Sequence, residues 1–207
     1  MPLPEYERLA RLIPNTHSPS SINLPVVEES EAAGEVADLY NHFQTHFGRP
    51  AVPGILKCFA THPPLLRHMM ALSENLIFTD GALTRKHKEM IATLVSLQNQ
   101  CAYCADSHGY FLRIYGASAD VLCAIQQNEL ESLSLTLPER SLLAFVQKVN
   151  QFSHQVDPSD VEKLTQIGWS DLQIAEAIHV AALFATFNRV VNAFGLPSQN
   201  ILALYAD

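Results

Sequence analysis

Four side chains carry the chemistry of this sequence: Glu89, Cys101, Cys104 and His108, spaced E-x11-C-x2-C-x3-H. Cysteine attacks as its thiolate, and two thiols three residues apart can close into an internal disulfide. A histidine one helical turn beyond Cys104 can accept its proton directly or through one water. A carboxylate facing that imidazole would orient it, repeating the logic of nucleophile, base and orienter. Such a set can make a thiolate, let it be oxidised and close a disulfide.

The four groups converge only if residues 85–115 form two helices joined by a turn. Thr84 is a good N-cap for a helix from Arg85 to about Asn99, and a second helix runs from about Ala102 to Tyr115 before Gly116. With Cys101 at the start of that second helix, Cys104 and His108 fall on the same face. A cysteine there meets unpaired N–H groups and the positive end of the helix dipole, which lower its pKa. At about 1.5 Å per residue, Glu89 lies roughly 17 Å before the turn and His108 roughly 11 Å after it. Antiparallel packing brings those levels within side-chain reach.

The remaining elements are helical as well. Val36, Leu39, Tyr40, Phe43 and Phe47 form one apolar face in a helix from about Glu31 that ends at Gly48-Arg49-Pro50. A short helix follows Pro53. Pro63-Pro64 opens another that carries Leu65 through Ile77. Ser118 caps a short helix, and Thr136 with Glu139 has capping-box spacing. Asp157-Pro158 starts a helix ending near Gly168. Ser170 and Gln173 launch a long apolar helix that closes at Gly195-Leu196-Pro197. No run alternates with a strand's period of two. The expected architecture is all-α, with residues 1–30 as a Pro-, Ser- and Asn-rich arm containing one amphipathic turn over Tyr6–Ile13, and 31–207 as the helical domain.

Hydrophobic residues make up 48% of the 207 and charged ones only 16%, which points to surface buried between subunits. A net charge of -8 argues against nucleic acid and anionic membranes as partners, since phosphate contacts need a basic face. The apolar stretch Ile174–Phe187 reads as too short to span a bilayer. No signal peptide is visible, so the expected setting is cytoplasmic, where a CxxC is more often catalytic or metal-binding than structural.

Glu89, the string Asn99-Gln100-Cys101-Ala102-Tyr103-Cys104, and His108 resemble the core motif of the AhpD-like alkylhydroperoxidases, in the carboxymuconolactone decarboxylase superfamily. Leu83-Thr84 and the string Asn188-Arg189-Val190-Val191-Asn192-Ala193-Phe194-Gly195 are similar to its peroxidase-related branch. The resemblance covers roughly residues 31–197. It implies a helical bundle built around a CxxC hairpin, assembled as a trimer or hexamer, and a peroxidase needing no cofactor. Cys104 would attack hydrogen peroxide or an organic hydroperoxide. Cys101, implied to be the more exposed thiol, would resolve the sulfenic acid to a disulfide. Glu89 and His108 would relay the proton, and a thiol or lipoyl-type reductant would restore the dithiol. Tyr103 departs from the best-known peroxidase, which has a histidine there; tyrosine is a poor base at neutral pH.

Other readings of these residues stand beside this one. The chain could be a thiol–disulfide relay with little peroxidase rate, or the four groups could hold zinc in a non-catalytic assembly protein. Cys58 and Cys123 read as small buried hydrophobes, His42 and His46 as surface residues, and His179 as a core histidine. Arg189 could reach substrate or bond between helices. Trp169 reads as packing.

Overall fold

The computed structural model of the protein describes residues 22–206; the turn expected over Tyr6–Ile13 lies outside them. Nine α-helices are described: α1 Glu35–Phe47, α2 Gly54–Phe59, α3 Pro63–Ser73, α4 Arg85–Gln98, α5 Ala102–Ile114, α6 Ala119–Gln126, α7 Leu137–Phe152, α8 Pro158–Ile167 and α9 Asp171–Phe194. There is no strand among the described residues.

The ends fall where the caps lie. Thr84 and Ser118 accept N–H bonds from His87 and Val121 at the starts of α4 and α6. Thr136/Glu139 and Ser170/Gln173 close capping boxes on α7 and α9, as their spacing predicts. Two boundaries differ from the sequence reading. Helix α1 begins at Glu35 rather than Glu31, because Gly34 takes a positive φ of 53° that breaks the helix there. The helix expected to carry Leu65 through Ile77 stops at Ser73 and widens into a π-helical turn over Glu74–Phe78. Lys88 explains the anchorage of that turn: its buried ammonium donates to the carbonyls of Leu76 and Thr79, both at 2.8 Å.

Two apolar cores result. The larger one centres on the α4–α5 hairpin, crossed by α7 and α9, and includes Ile91, Val95, Leu112, Val146 and Phe184. The smaller lies under α1, α2 and α3, around Tyr40, Phe43, Leu56, Phe59 and Leu66. Helix α9 runs 24 residues and is long and apolar enough, by composition, to cross a membrane. Length therefore does not exclude a span, contrary to the sequence reading. Half of its apolar window is buried inside the fold, against α4 and α7, where the core needs it.

Residues 22–30 lie along the body. Asn23 donates from its backbone to Phe194 O at 2.8 Å and from Nδ2 to Ala193 O at 3.2 Å, satisfying carbonyls left open at the end of α9. Gly195 permits this: its φ is 78°, and a Cβ there would collide with Asn23.

Candidate active site

The turn between α4 and α5 sets up the site. Gln100 is held in the left-handed region at φ 54°, and Cys101 N–H reaches back to Ser96 O at 2.8 Å. Cys101 thus becomes the N-cap of α5, and Cys104 and His108 follow on one face. The hairpin then brings α4 alongside. Glu89 Oε2 lies 2.6 Å from His108 Nδ1, so the carboxylate and imidazole meet as their levels along the helices predict. The ring is also clamped edge-on by Phe184, with centroids 4.5 Å apart.

Arg85 completes this pair, although in the sequence it reads as part of a short basic cluster. Its Nε lies 2.6 Å from Glu89 Oε1. The guanidinium rests over the rings of Phe78 and Tyr115, 4.8 and 4.6 Å from their centroids. The i, i+4 spacing of Arg85 and Glu89 was the signal that could have found it.

Cys101 and Cys104 are both free and both buried, with 1% and 4% exposure. The resemblance implies that Cys101 is the more exposed; in the single chain it is not, because α5 starts beneath Leu196 and Val191 in the same apolar cluster. Their environments differ in charge. The neighbouring Cys104 thiol, with the Cys104 backbone N–H and Asn188, draws the Cys101 pKa below its ordinary value against the cost of burial. Cys104 is raised well above its ordinary value, first by the Cys101 thiol beside it and then by burial.

Cys104 nonetheless faces the open space. An apolar cavity of about 260 Å³ lies between the two cores, and Cys104, His108 and Tyr103 line it. Most of the remaining wall is apolar, including Phe43, Phe59, Met69, Met70, Phe184 and Phe187. Cys101 is not part of the wall. Two properties that sequence reasoning gave to one sulfur are therefore divided: Cys104 has the access and Cys101 the lower pKa.

Tyr103 is buried, with its hydroxyl among the backbone groups of Gly54 and Ile55 at the start of α2, and burial pushes its pKa up. It ties the hairpin to α2. A Cβ on Gly54 would meet Leu196 at 2.9 Å and the Tyr103 hydroxyl at 3.4 Å, so the close approach depends on glycine.

The other candidates fall outside the constellation. His42 and His46 are exposed and stacked, with His46 paired to Glu74. His179 is exposed on α9, not a core residue, because it faces away from the stripe formed by Ala177, Val180 and Ala181. Arg189 is exposed too and bonds Ala185 O of its own helix. Its neighbour Asn188 turns inward instead. Trp169 is buried and donates to Pro138 O at 3.0 Å. Cys123 is half-buried rather than buried. Among the described residues, no group of three or more His, Cys, Asp or Glu is placed to hold a metal ion; Glu89 is engaged by Arg85 and His108.

Cys58 is a third thiol in the cluster with Cys101 and Cys104. Burial pushes its pKa up to about 12. At pH 8 only about one molecule in ten thousand would carry its thiolate. Cys58 is therefore expected to resist iodoacetamide at pH 8 in the folded protein and to react once the chain is unfolded, as read by peptide mass spectrometry.

Comparison with known proteins gives a family and a fold. The carboxymuconolactone decarboxylase family matches residues 63–131, which hold the whole hairpin. A solved structure described as an alkylhydroperoxidase AhpD core, an uncharacterized peroxidase-related protein from Ralstonia eutropha JMP134, is 30% identical with a TM-score of 0.78, over 88% of this chain and 95% of that one. An uncharacterized peroxidase-related protein from Silicibacter sp. TM1040 is 25% identical with a TM-score of 0.74, over 88% and 96% of the two chains. A protein of unknown function from Agrobacterium tumefaciens is 26% identical with a TM-score of 0.61, over 68% and 94%. No curated protein matches. With its CxxC hairpin, its helical architecture and these relatives, the chain belongs to the carboxymuconolactone decarboxylase family, on its AhpD-like side.

Proposed function

We propose that the protein is a thiol-dependent peroxidase acting on organic hydroperoxides, with Cys104 as nucleophile, Cys101 as resolving thiol, and Glu89 and His108 as the proton relay. One observation carries this reading: Cys104 and His108 line the same apolar cavity while Glu89 holds the far side of the imidazole at 2.6 Å.

His108 takes the Cys104 proton, directly or through a water in the cavity. The thiolate sulfur attacks the terminal peroxide oxygen; an S–O bond forms and the O–O bond breaks. The alkoxide leaves and takes the proton from His108, giving an alcohol and a Cys104 sulfenic acid. Cys101 attacks that sulfur, the S–S bond forms, and water leaves with the Cys101 proton. A dithiol of lipoyl or similar type then reduces the disulfide. The same reading includes a cytoplasmic setting and a trimer or hexamer, for which the exposed Leu65, Leu72, Phe78, Ile114 and Tyr115 offer apolar surface.

The cavity favours organic hydroperoxides over hydrogen peroxide, because a phenyl or alkyl group would displace water from an apolar wall while hydrogen peroxide would bury two hydroxyls there. A thiol–disulfide relay is the second reading, favoured by the lowered pKa of Cys101. Burial of both sulfurs supports the small substrate over a protein disulfide.

The test compares cumene hydroperoxide with hydrogen peroxide under one dithiol reductant. A higher kcat/KM for cumene hydroperoxide is expected. Met70→Trp, which narrows the cavity, should lower that value roughly tenfold and hydrogen peroxide turnover less. Disulfide reduction without peroxide consumption would favour the relay instead.

A further inference from the structure

We propose that the oxidised protein is reduced through the same apolar cavity that admits the peroxide, by a slim uncharged dithiol whose sulfur attacks Cys104 and expels Cys101. This deepens the proposed function and rests on it only for the closing of a Cys101–Cys104 disulfide during turnover. Two observations carry it. Cys104 lines the cavity and Cys101 does not. Cys101 is buried, and its other side is closed by a segment tied down at several points.

Val191 and Leu196, at the end of α9, pack with Cys101 in one apolar cluster. The Leu196 N–H bonds back to Val191 O at 3.2 Å. The chain beyond is fastened to α5 itself. Asp106, two residues after Cys104, is buried, and its Oδ2 and Oδ1 accept the N–H groups of Ile201 and Leu202, each at 2.9 Å. Leu202 then enters the larger core. Asn23 holds the same end of α9 through the carbonyls of Ala193 and Phe194. A reductant coming from this side would have to break these bonds and leave a buried carboxylate without its two donors. The cavity side demands no such opening.

Displacement at sulfur is in line: the entering and leaving groups lie on opposite sides of the sulfur attacked, because the nucleophile enters the empty orbital behind the breaking bond. When the disulfide forms, Cys101 enters from behind Cys104 and the sulfenic hydroxyl leaves into the cavity. The place that hydroxyl vacates is the place an entering thiolate must take. The dithiol's thiolate sulfur bonds to Cys104, the Cys104–Cys101 bond breaks, and Cys101 leaves with the electron pair and takes up a proton. The second thiol attacks the reductant's own bonded sulfur. Its proton passes to the departing Cys104, and the reductant leaves as a cyclic disulfide, having given two electrons. The thiol of lower pKa is the better leaving group, and Cys101 is the one drawn below its ordinary value. The wall sets the class of reductant. Apolar side chains accept an alkyl thiol, whereas a charged one such as glutathione would have to shed the water around its carboxylates.

The test uses the unaltered protein. Its Cys101–Cys104 disulfide is made with diamide and confirmed by peptide mapping, so the assignment is tested even if the protein consumes no peroxide. One equivalent of phenylmethanethiol, which has no second thiol to complete the reduction, is added and the mixture is quenched early in acid. Tandem mass spectrometry of the motif peptide then locates the adduct, which is expected on Cys104. An adduct on Cys101 would overturn the proposal and show that the cover beyond α9 opens instead. The rate of disulfide loss is a second readout. Cumyl alcohol, which cannot oxidise a thiol, should slow it about tenfold at ten times its own Kd, by mass action at a shared cavity. Glutathione, compared at equal thiolate concentration, should react at least about tenfold more slowly than phenylmethanethiol. A rate indifferent to cumyl alcohol, or equal for the two thiols, would send the reductant by another path and sink the idea.

Discussion

Cys104→Ser is expected to lower peroxide turnover by roughly a thousandfold or more, to a level near the uncatalysed reaction. Serine keeps the shape but presents a hydroxyl, which no neighbour here converts into a nucleophile comparable to a thiolate. Cys104 is the motif sulfur on the cavity wall, so Cys101 has no direct path to a bound hydroperoxide. Cys101→Ser should behave differently. One equivalent of peroxide would be consumed, after which the enzyme would stall with a Cys104 sulfenic acid that dimedone traps. Intact mass after a single addition of peroxide separates the cases: loss of two hydrogens for the unaltered disulfide, gain of one oxygen for Cys101→Ser, and no change at these positions for Cys104→Ser. Dimedone labelling of Cys101 in the Cys104→Ser protein would reverse the assignment of the two thiols, and sustained turnover there would reject the site.

The largest effect on stability is expected at Glu176. Lys88 is buried, with its ammonium 2.7 Å from Glu176 Oε1 and bonded to the carbonyls of Leu76 in the π-helical turn and Thr79 just after it. Glu176 Oε2 also accepts the Leu83 N–H at 2.7 Å. These bonds to Lys88 and Leu83 hold the Glu176 carboxyl below its ordinary pKa against partial burial. Glu176→Ala would leave a buried ammonium without its counter-charge, a change that costs about 3–5 kcal/mol. For a chain of this size the melting temperature should fall by roughly 10 °C. The double change Lys88→Met with Glu176→Leu should recover part of that loss, because it removes the charge instead of stranding it. A single variant melting within about 2 °C of the unaltered protein would show that water or another group replaces the carboxylate. The effect bears on function as well. Lys88 precedes Glu89 on α4, and the turn it anchors supplies Glu74, Ile77 and Phe78 to the cavity wall.

Hairpin, caps and the Glu89–His108 meeting were legible in the chain because each is set by local rules. A capping residue names its helix start within a few positions, and helical rise fixes which levels of two antiparallel helices face each other. The i+3 and i+7 steps from Cys101 place three groups on one face whatever surrounds them. The division of labour between the sulfurs was not legible. Both cysteines lie in one turn, so the same spacing serves either role. The cavity reaches Cys104 because α1, α2 and α3 fold over from distant sequence, and Cys101 is covered by Val191 and Leu196 from the far end of α9. The same physics hid Asn188, Lys88 and Glu176. Asparagine beside an exposed Arg189 reads as surface, and a lysine in a basic cluster reads as solvated. Their burial is decided by helices about ninety residues away, which local patterning in a single chain does not encode.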